Sequence, residues 1–410
     1  MRNNVILLLL AFLAGQGTLF LAQSWLVARG ELVLVGRFGA AYLLISLAYY
    51  VVDWGGMIVL ARRELAADEG ETEQTDRFFW NLSGFRAFVA VALSIGLLGW
   101  AAFAQAFDAA YIIAALPALW VGALNFGGLL DGVHRSGLNG LSAAAPMIAG
   151  GLVLPLAEFT SPGVGGALLG GTFAVGTLVG TAMQVYFLKA ARRLPAWHRP
   201  SAKAMLAAAR EGWVVLLTLL PVYTFYRGQV AICSAVLGPA ATGLFVYSKQ
   251  VVNAVLICNQ FVRRAEFPAL VKAVGEGINV YSVLVAQRIT LAAGFLLSLG
   301  LLLGGVCGWL LLKGEIASAA LLAGSFAPAT LASALYSTMH QAHIAAGRAT
   351  YVAAVGIVMV VGGLAVSVVA TIWYGIYGFI VAETIMNSVA CVVLILLWTS
   401  VKLPRGRSDA

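Results

Sequence analysis

Three observations predict an all-α integral membrane protein with twelve transmembrane helices in two six-helix bundles. The composition is too apolar for water, twelve apolar runs reach spanning length, and the basic residues concentrate in alternate loops. Of the 410 residues 61% are hydrophobic and 10% charged, and the mean hydropathy is +0.93. A soluble domain carries roughly a quarter charged residues. The composition therefore excludes an aqueous fold, and no long polar stretch stands apart to form a soluble domain.

The first bundle is expected from runs near 5–28, 38–60, 85–107, 109–132, 141–160 and 163–189. The second follows from runs near 213–235, 239–262, 289–313, 316–338, 350–371 and 374–399. Each can cross a hydrocarbon core of about 30 Å at about 1.5 Å per helical residue. The first run follows Arg2 as a signal peptide would, but it lacks a small-x-small cleavage site and is read as an uncleaved span.

An even number of spans puts both termini on one side, and the Lys and Arg tally decides which. Twenty of the 25 basic residues fall on one face, from Arg2, the group Arg62, Arg63, Arg77 and Arg86, and Arg135 to Lys402, Arg405 and Arg407. Only Arg29, Arg37 and Lys313 fall on the other. Both termini are thus expected in the cytoplasm of a bacterial inner membrane. The charge of +8 is spread over alternate loops, which argues against a nucleic-acid partner.

Non-cytoplasmic connections are short turns such as SPGV at 161–164 and LGPA at 237–240. The longest cytoplasmic connection, 190–212, carries Arg192, Arg193, Arg199, Lys203 and Arg210 with two prolines, and reads as a linker. The expected division is 1–189 for the first bundle, 190–212 for the linker, 213–399 for the second bundle and 400–410 for a cytoplasmic tail.

A repeat supports two like halves. An offset of 212 residues lays Gly150, Gly151, Gly163 and Gly166 on Gly362, Gly363, Gly375 and Gly378. An offset of 202 lays Gly36 on Gly238 and Ser46 on Ser248. Six spans in each half make the repeats parallel, related by an axis along the membrane normal, with a central path between them for substrate.

Intramembrane charges are costly and mark function by default. Arg227 lies about 21 Å into its span and Lys249 about 15 Å from the opposite surface, so the two cations can share a depth. In an aqueous cavity they would attract phosphate or carboxylate, Arg in a bidentate manner and Lys as a point charge. Alternatively they close ion pairs with Asp53 or Glu383. Those two carboxylates are also the candidates for coupling to a proton or Na⁺. Gln16, Tyr49, Tyr50, Tyr223, Tyr226, Tyr247, Gln250 and Asn253 are the polar and aromatic side chains expected to contact sugars or a headgroup.

Little points to catalysis or to a bound cofactor or metal. Cys233, Cys258, Cys307 and Cys391 sit singly in apolar runs and read as core residues. The histidines 134, 198, 340 and 343 are placed in cytoplasmic loops, and the acidic stretch 67–76 reads as a solvated loop. No phosphate-binding or dinucleotide-binding glycine motif is present, so an ATP-driven pump is not expected.

The segments VGRFGAAYLLISLAYYVVDWGG and YRGQVAICSAVLGPAATGLFVYSKQ, in their order within two six-helix halves, resemble the polysaccharide-unit flippases of the multidrug, oligosaccharidyl-lipid and polysaccharide (MOP) exporter superfamily. The resemblance covers nearly the whole chain. It implies a V-shaped molecule with a central cavity and movement of an undecaprenyl-pyrophosphate-linked oligosaccharide, such as an O-antigen unit, to the periplasmic leaflet. Arg227 and Lys249 would then receive the pyrophosphate. Besides the lipid-linked substrate and membrane lipids, a polysaccharide polymerase and its chain-length machinery are the implied partners. An ion-coupled multidrug antiporter is the nearest alternative, although cationic drugs favour acidic cavities. A membrane polymerase would carry a sizeable outer loop, which this sequence lacks.

Overall fold

The computed structural model describes residues 2–66, 72–275 and 279–400. Lys402, Arg405 and Arg407 of the expected tail, and 67–71 of the acidic stretch, lie outside the described residues. The described residues form helices and turns, with no strand among them. In hydrocarbon, the helix satisfies every backbone donor and acceptor within its own segment, so an apolar chain of this kind has one local solution.

In order, α1 is Arg2–Ala28, α2 Leu32–Asp53, α3 Gly56–Ala66, α4 Thr72–Ala101, α5 Ala106–Gly122, α6 Gly127–Gly132, α7 Ser136–Val153 and α8 Pro162–Ala190. There follow α9 Ala202–Val236, α10 Gly238–Gly275, α11 Val280–Ala286, α12 Arg288–Leu311, α13 Gly314–Ser325, α14 Ala327–Ala345, α15 Ala349–Tyr374 and α16 Gly378–Ser400. Nine segments among the described residues are long and apolar enough to cross a membrane. One of them, Thr350–Thr399, is folded in two at Gly375, whose φ is 57°. The shorter apolar helix Ala106–Gly122 adds to these. Twelve crossings is a count read from the sequence.

Several expected boundaries move. The span expected at 85–107 is part of a helix that begins at Thr72, because polar Arg77, Asn81 and Arg86 lower the hydropathy of its first half without breaking the helix. The span at 38–60 is interrupted at Trp54 and Gly55, whose φ values of 53° and 71° end α2 and let α3 start on a new axis. His340 and His343, expected in a loop, lie within α14. There His343 is fully buried, with Nε2 donating to the Leu394 carbonyl at 2.9 Å. Of the cysteines only Cys233 is a core residue, while Cys258 and Cys307 face outward.

The chain divides into two compact units, Met1–Leu220 and Pro221–Ala410. The boundary falls inside α9, and residues 202–212 of the expected linker are its first turns. The first unit therefore includes the linker.

Within the first unit, α8 packs on α5 and α7. Contact is close because a Cβ at Gly166 or Gly170 would sit 2.2 Å from the carbonyl oxygens of Phe107 and Tyr111. Gly176 and Gly180 make the same approach to Pro146 and Ser142 of α7. Glycines four apart let backbones touch where lipid offers no hydrophobic drive. Within the second unit, α16 packs on α14 and α15 in the corresponding pairing.

Gly151 of α7 abuts Thr18 and Leu19 of α1, while Gly363 of α15 abuts Phe225 of α9. Gly36 lies inside α2, while Gly30, φ 85°, precedes α2 and Gly238, φ 83°, opens α10.

Candidate functional site

Each unit buries an ion pair. In the first, α2 ends at Asp53, and the break that follows turns its carboxylate back toward α4 and α5. Arg86 of α4 is fully buried. Its Nη2 donates to Asp53 Oδ1 at 2.5 Å, its Nε to the Asp53 carbonyl at 2.9 Å, and its Nη1 to the Asn125 carbonyl at 3.3 Å. The other carboxylate oxygen of Asp53 accepts the Met57 amide in the first turn of α3, at 3.1 Å.

The pair continues into a chain of side chains. Asn125 donates to Asp53 at 2.9 Å, and Gln184 of α8 donates to both Asn125 and Asn139 at 3.3 Å. Asn139 donates to Asp131 at 3.1 Å. Two glycines make room: a Cβ at Gly56 would meet Arg86 Nη2 at 2.0 Å, and one at Gly127 would meet Asn139 Oδ1 at 2.7 Å. A buried charge is tolerated when paired and hydrogen-bonded throughout, and this network meets that condition around Arg86.

In the second unit Lys249 of α10 donates to both oxygens of Glu383 of α16, at 2.7 and 2.9 Å, and is almost fully buried. One turn away on the same two helices, the rings of Phe245 and Phe379 lie 4.6 Å apart. Residues four apart share a helix face, so an aromatic rung and an ionic rung join α10 to α16. The ammonium also lies 4.6 Å from the Phe326 ring centroid and 5.9 Å from that of Tyr226.

Arg227 is half-buried in the C-terminal third of α9. Its Nη1 donates to the Tyr223 carbonyl at 2.7 Å, and its guanidinium lies 5.6 Å from the Tyr223 ring. Tyr226, about 100° further round the helix, faces Lys249 instead.

Of the two arrangements open to the charges, Lys249 adopts the closed pair with Glu383, and Asp53 takes Arg86 rather than either expected cation. Tyr223 and Tyr226 gather around Arg227 and Lys249. Tyr247 belongs to another face of α10, where it lines an apolar cavity of about 460 Å³ with α12 and α13. Tyr49 packs in a core cluster beside Val52, Val89 and Leu119 and presses on Gly122. Gln16 donates to Met147 Sδ at 3.3 Å, and Tyr50 is exposed. Gln250 and Asn253 are half-buried on α10.

The sequence reading placed Arg86 among the cytoplasmic cations, and it missed Asn125, Asp131, Asn139 and Gln184. A signal existed in Gln184, an isolated amide amid the apolar turns of GTAMQVYF.

A second polar cluster fastens the segment between α8 and α9. Arg193 pairs bidentately with Glu64 at 2.5 and 2.6 Å and reaches Asp76 at 2.6 Å. Burial disfavours its charge, but these bonds outweigh burial and raise its pKa above the ordinary guanidinium value. Asp76 also accepts the Ala196 amide, Trp80 Nε1 donates to the Ala196 carbonyl at 2.7 Å, and Asn81 accepts the Ser201 amide.

No family model matches the sequence, and comparison with curated proteins yields no match. Solved structures do match in fold. An inward-facing multidrug-resistance MATE transporter of the MOP superfamily aligns at TM-score 0.74 and 15% identity, over 99% of this chain and 100% of its own. The lipid II flippase MurJ, in an inward closed conformation, aligns at 0.75 and 12% identity, over 97% and 88%. A Pyrococcus furiosus MOP transporter described as having a binding pocket of reversed polarity aligns at 0.62 and 16%, over 97% and 95%. The chain has the fold of these multi-pass membrane transporters.

Proposed function

We propose that this protein is an alternating-access flippase that carries an undecaprenyl-pyrophosphate-linked oligosaccharide unit, for O-antigen or another surface polysaccharide, from the cytoplasmic to the periplasmic leaflet of the inner membrane. The observation that carries this reading is the presence of two cations within adjacent helices of one unit, Arg227 on α9 and Lys249 on α10, each beside a tyrosine. Arg227 offers a planar fork suited to phosphate oxygens. Lys249, held by Glu383, becomes available to a phosphate that competes for it. Tyrosine rings next to both supply surfaces on which sugars stack. The fold shared with a lipid II flippase supports a lipid-linked saccharide as cargo.

In this reading both termini face the cytoplasm, as the basic loops indicate, and the protein works without a catalytic residue or bound cofactor. A polysaccharide polymerase and its chain-length partners act on the delivered unit. Asp53 and Glu383 are the carboxylates that would couple transport to a proton or Na⁺. Each is engaged by a cation, Arg86 or Lys249, so a coupling ion would act by displacing that partner.

The multidrug antiporter is the second reading, favoured by the MATE likeness over 99% of the chain. One experiment separates them. In a strain lacking the gene, lipid-linked units should accumulate in the cytoplasmic leaflet, and Arg227→Gln at normal protein level should fail to restore export. Restored drug resistance, with export intact in the deleted strain, would make the antiporter the correct reading.

A further inference from the structure

The segment 189–210 combines fixed geometry with unbalanced charge. Arg193 ties it to Glu64 and Asp76, Trp80 and Asn81 hold its backbone, and Glu211 at its end pairs with Arg63 at 2.5 Å. Trp54 Nε1 donates to the Ala209 carbonyl at 2.8 Å. The nearby described carboxylates are thereby committed, Glu73 to Arg77 among them. Lys189, Arg192, Arg199, Lys203 and Arg210 point outward, without an acidic partner among the described residues. Between them stand apolar side chains that the same fastening leaves in the open: Trp197 at 68% exposure, Leu206 at 55% and Leu194 at 45%. Trp197 is steadied by an edge contact with Trp80, ring centroids 4.4 Å apart.

A rigid surface of cations interleaved with Trp and Leu, set directly after a spanning helix, has the chemistry of the membrane interface. We infer that this segment is a docking surface for the headgroups of anionic phospholipids in the leaflet it faces. The cations meet the phosphates, while Trp197, Leu194 and Leu206 enter the headgroup boundary. Charge complementarity selects the partner: neutral lipids would leave five cations without counter-charge. That the leaflet is the cytoplasmic one rests on the orientation proposed above, whereas the lipid preference does not.

The test uses the purified full chain in neutral detergent, titrated with tagged phosphatidylglycerol and, separately, phosphatidylcholine. The wild type is expected to bind the anionic lipid more tightly, with affinity falling as salt rises. Each juxtamembrane cation contributes about fivefold in affinity, so replacing Arg192, Arg199, Lys203 and Arg210 with Gln should cost roughly several hundredfold for phosphatidylglycerol. Phosphatidylcholine binding should not change, and Arg193 remains to hold the segment. Trp197→Ser should weaken both lipids alike. Equal binding of the two lipids by the wild type overturns the proposal. So does an unchanged preference in the fourfold variant, the result expected if the chain's own Asp68, Glu69 and Glu71 neutralise the patch. Impermeant maleimide labelling of R199C, in a background without native cysteines, reports the leaflet in intact cells: labelling from outside overturns the cytoplasmic assignment and leaves the lipid measurement standing.

Discussion

Arg86 grips Asp53 at two points, the side-chain oxygen at 2.5 Å and the main-chain carbonyl at 2.9 Å, so one guanidinium both neutralises a carboxylate and caps the broken end of α2. Removing one partner of such a pair leaves an uncompensated buried charge, which costs about 3–5 kcal/mol. Asp53→Asn and Arg86→Gln are each expected to lower the thermal unfolding midpoint in detergent sharply. The double variant should be more stable than the sum of the two losses implies. Strict additivity would show that the pair is not energetically coupled.

Gly56 leaves space for that guanidinium. Because a Cβ there would lie 2.0 Å from Arg86 Nη2, Gly56→Ala should destabilise by about 1–3 kcal/mol, the usual cost of overpacking. Gly96→Ala, where a Cβ meets nothing within 4 Å, should be neutral or slightly stabilising on the same unfolding assay.

Lys249 and Glu383 should behave as a unit in the second half. Lys249→Met and Glu383→Leu are each expected to lose about 3–5 kcal/mol, and together to recover most of it, because two apolar side chains replace the pair. If the flippase reading holds, the recovered double variant should fold well and still fail to export, which separates a structural role from a role with substrate.

Arg193 should control the order of the segment that follows it. Arg193→Ala is expected to speed hydrogen exchange at the Ala196 and Ser201 amides by about tenfold or more, since charged hydrogen bonds contribute about 1.5–3 kcal/mol each. Arg193→Lys should restore only part of the protection, for it cannot bridge Glu64 bidentately. Unchanged exchange in the Ala variant would show that Trp80 and Asn81 suffice.

Hydropathy made the fold class legible because a membrane leaves so few backbone solutions. Element ends were harder. Trp54 breaks α2 through a left-handed conformation that nothing in its residue type announces, and Thr72–Ala101 begins in polar residues that hydropathy assigns to a loop. Glu383 could be named as a partner of Lys249 because both are rare charges in apolar runs. Arg86 could not be placed, since a cation near the start of a span looks the same whether it meets water or turns inward to Asp53. The amide chain from Asn125 through Gln184 to Asn139 depends on α7, α8 and the connection between α5 and α6 meeting, which one-dimensional spacing does not report.

The pairing of Lys249 with Glu383 also has an electrical consequence. A lone charge moved through the full membrane potential exchanges about 2.3 kcal/mol with it per 100 mV, but an ammonium and a carboxylate that travel together carry no net charge. As long as the two remain joined, rearrangement of α10 with α16 moves no net charge of this pair through the field, and only opening of the pair would make it sense voltage.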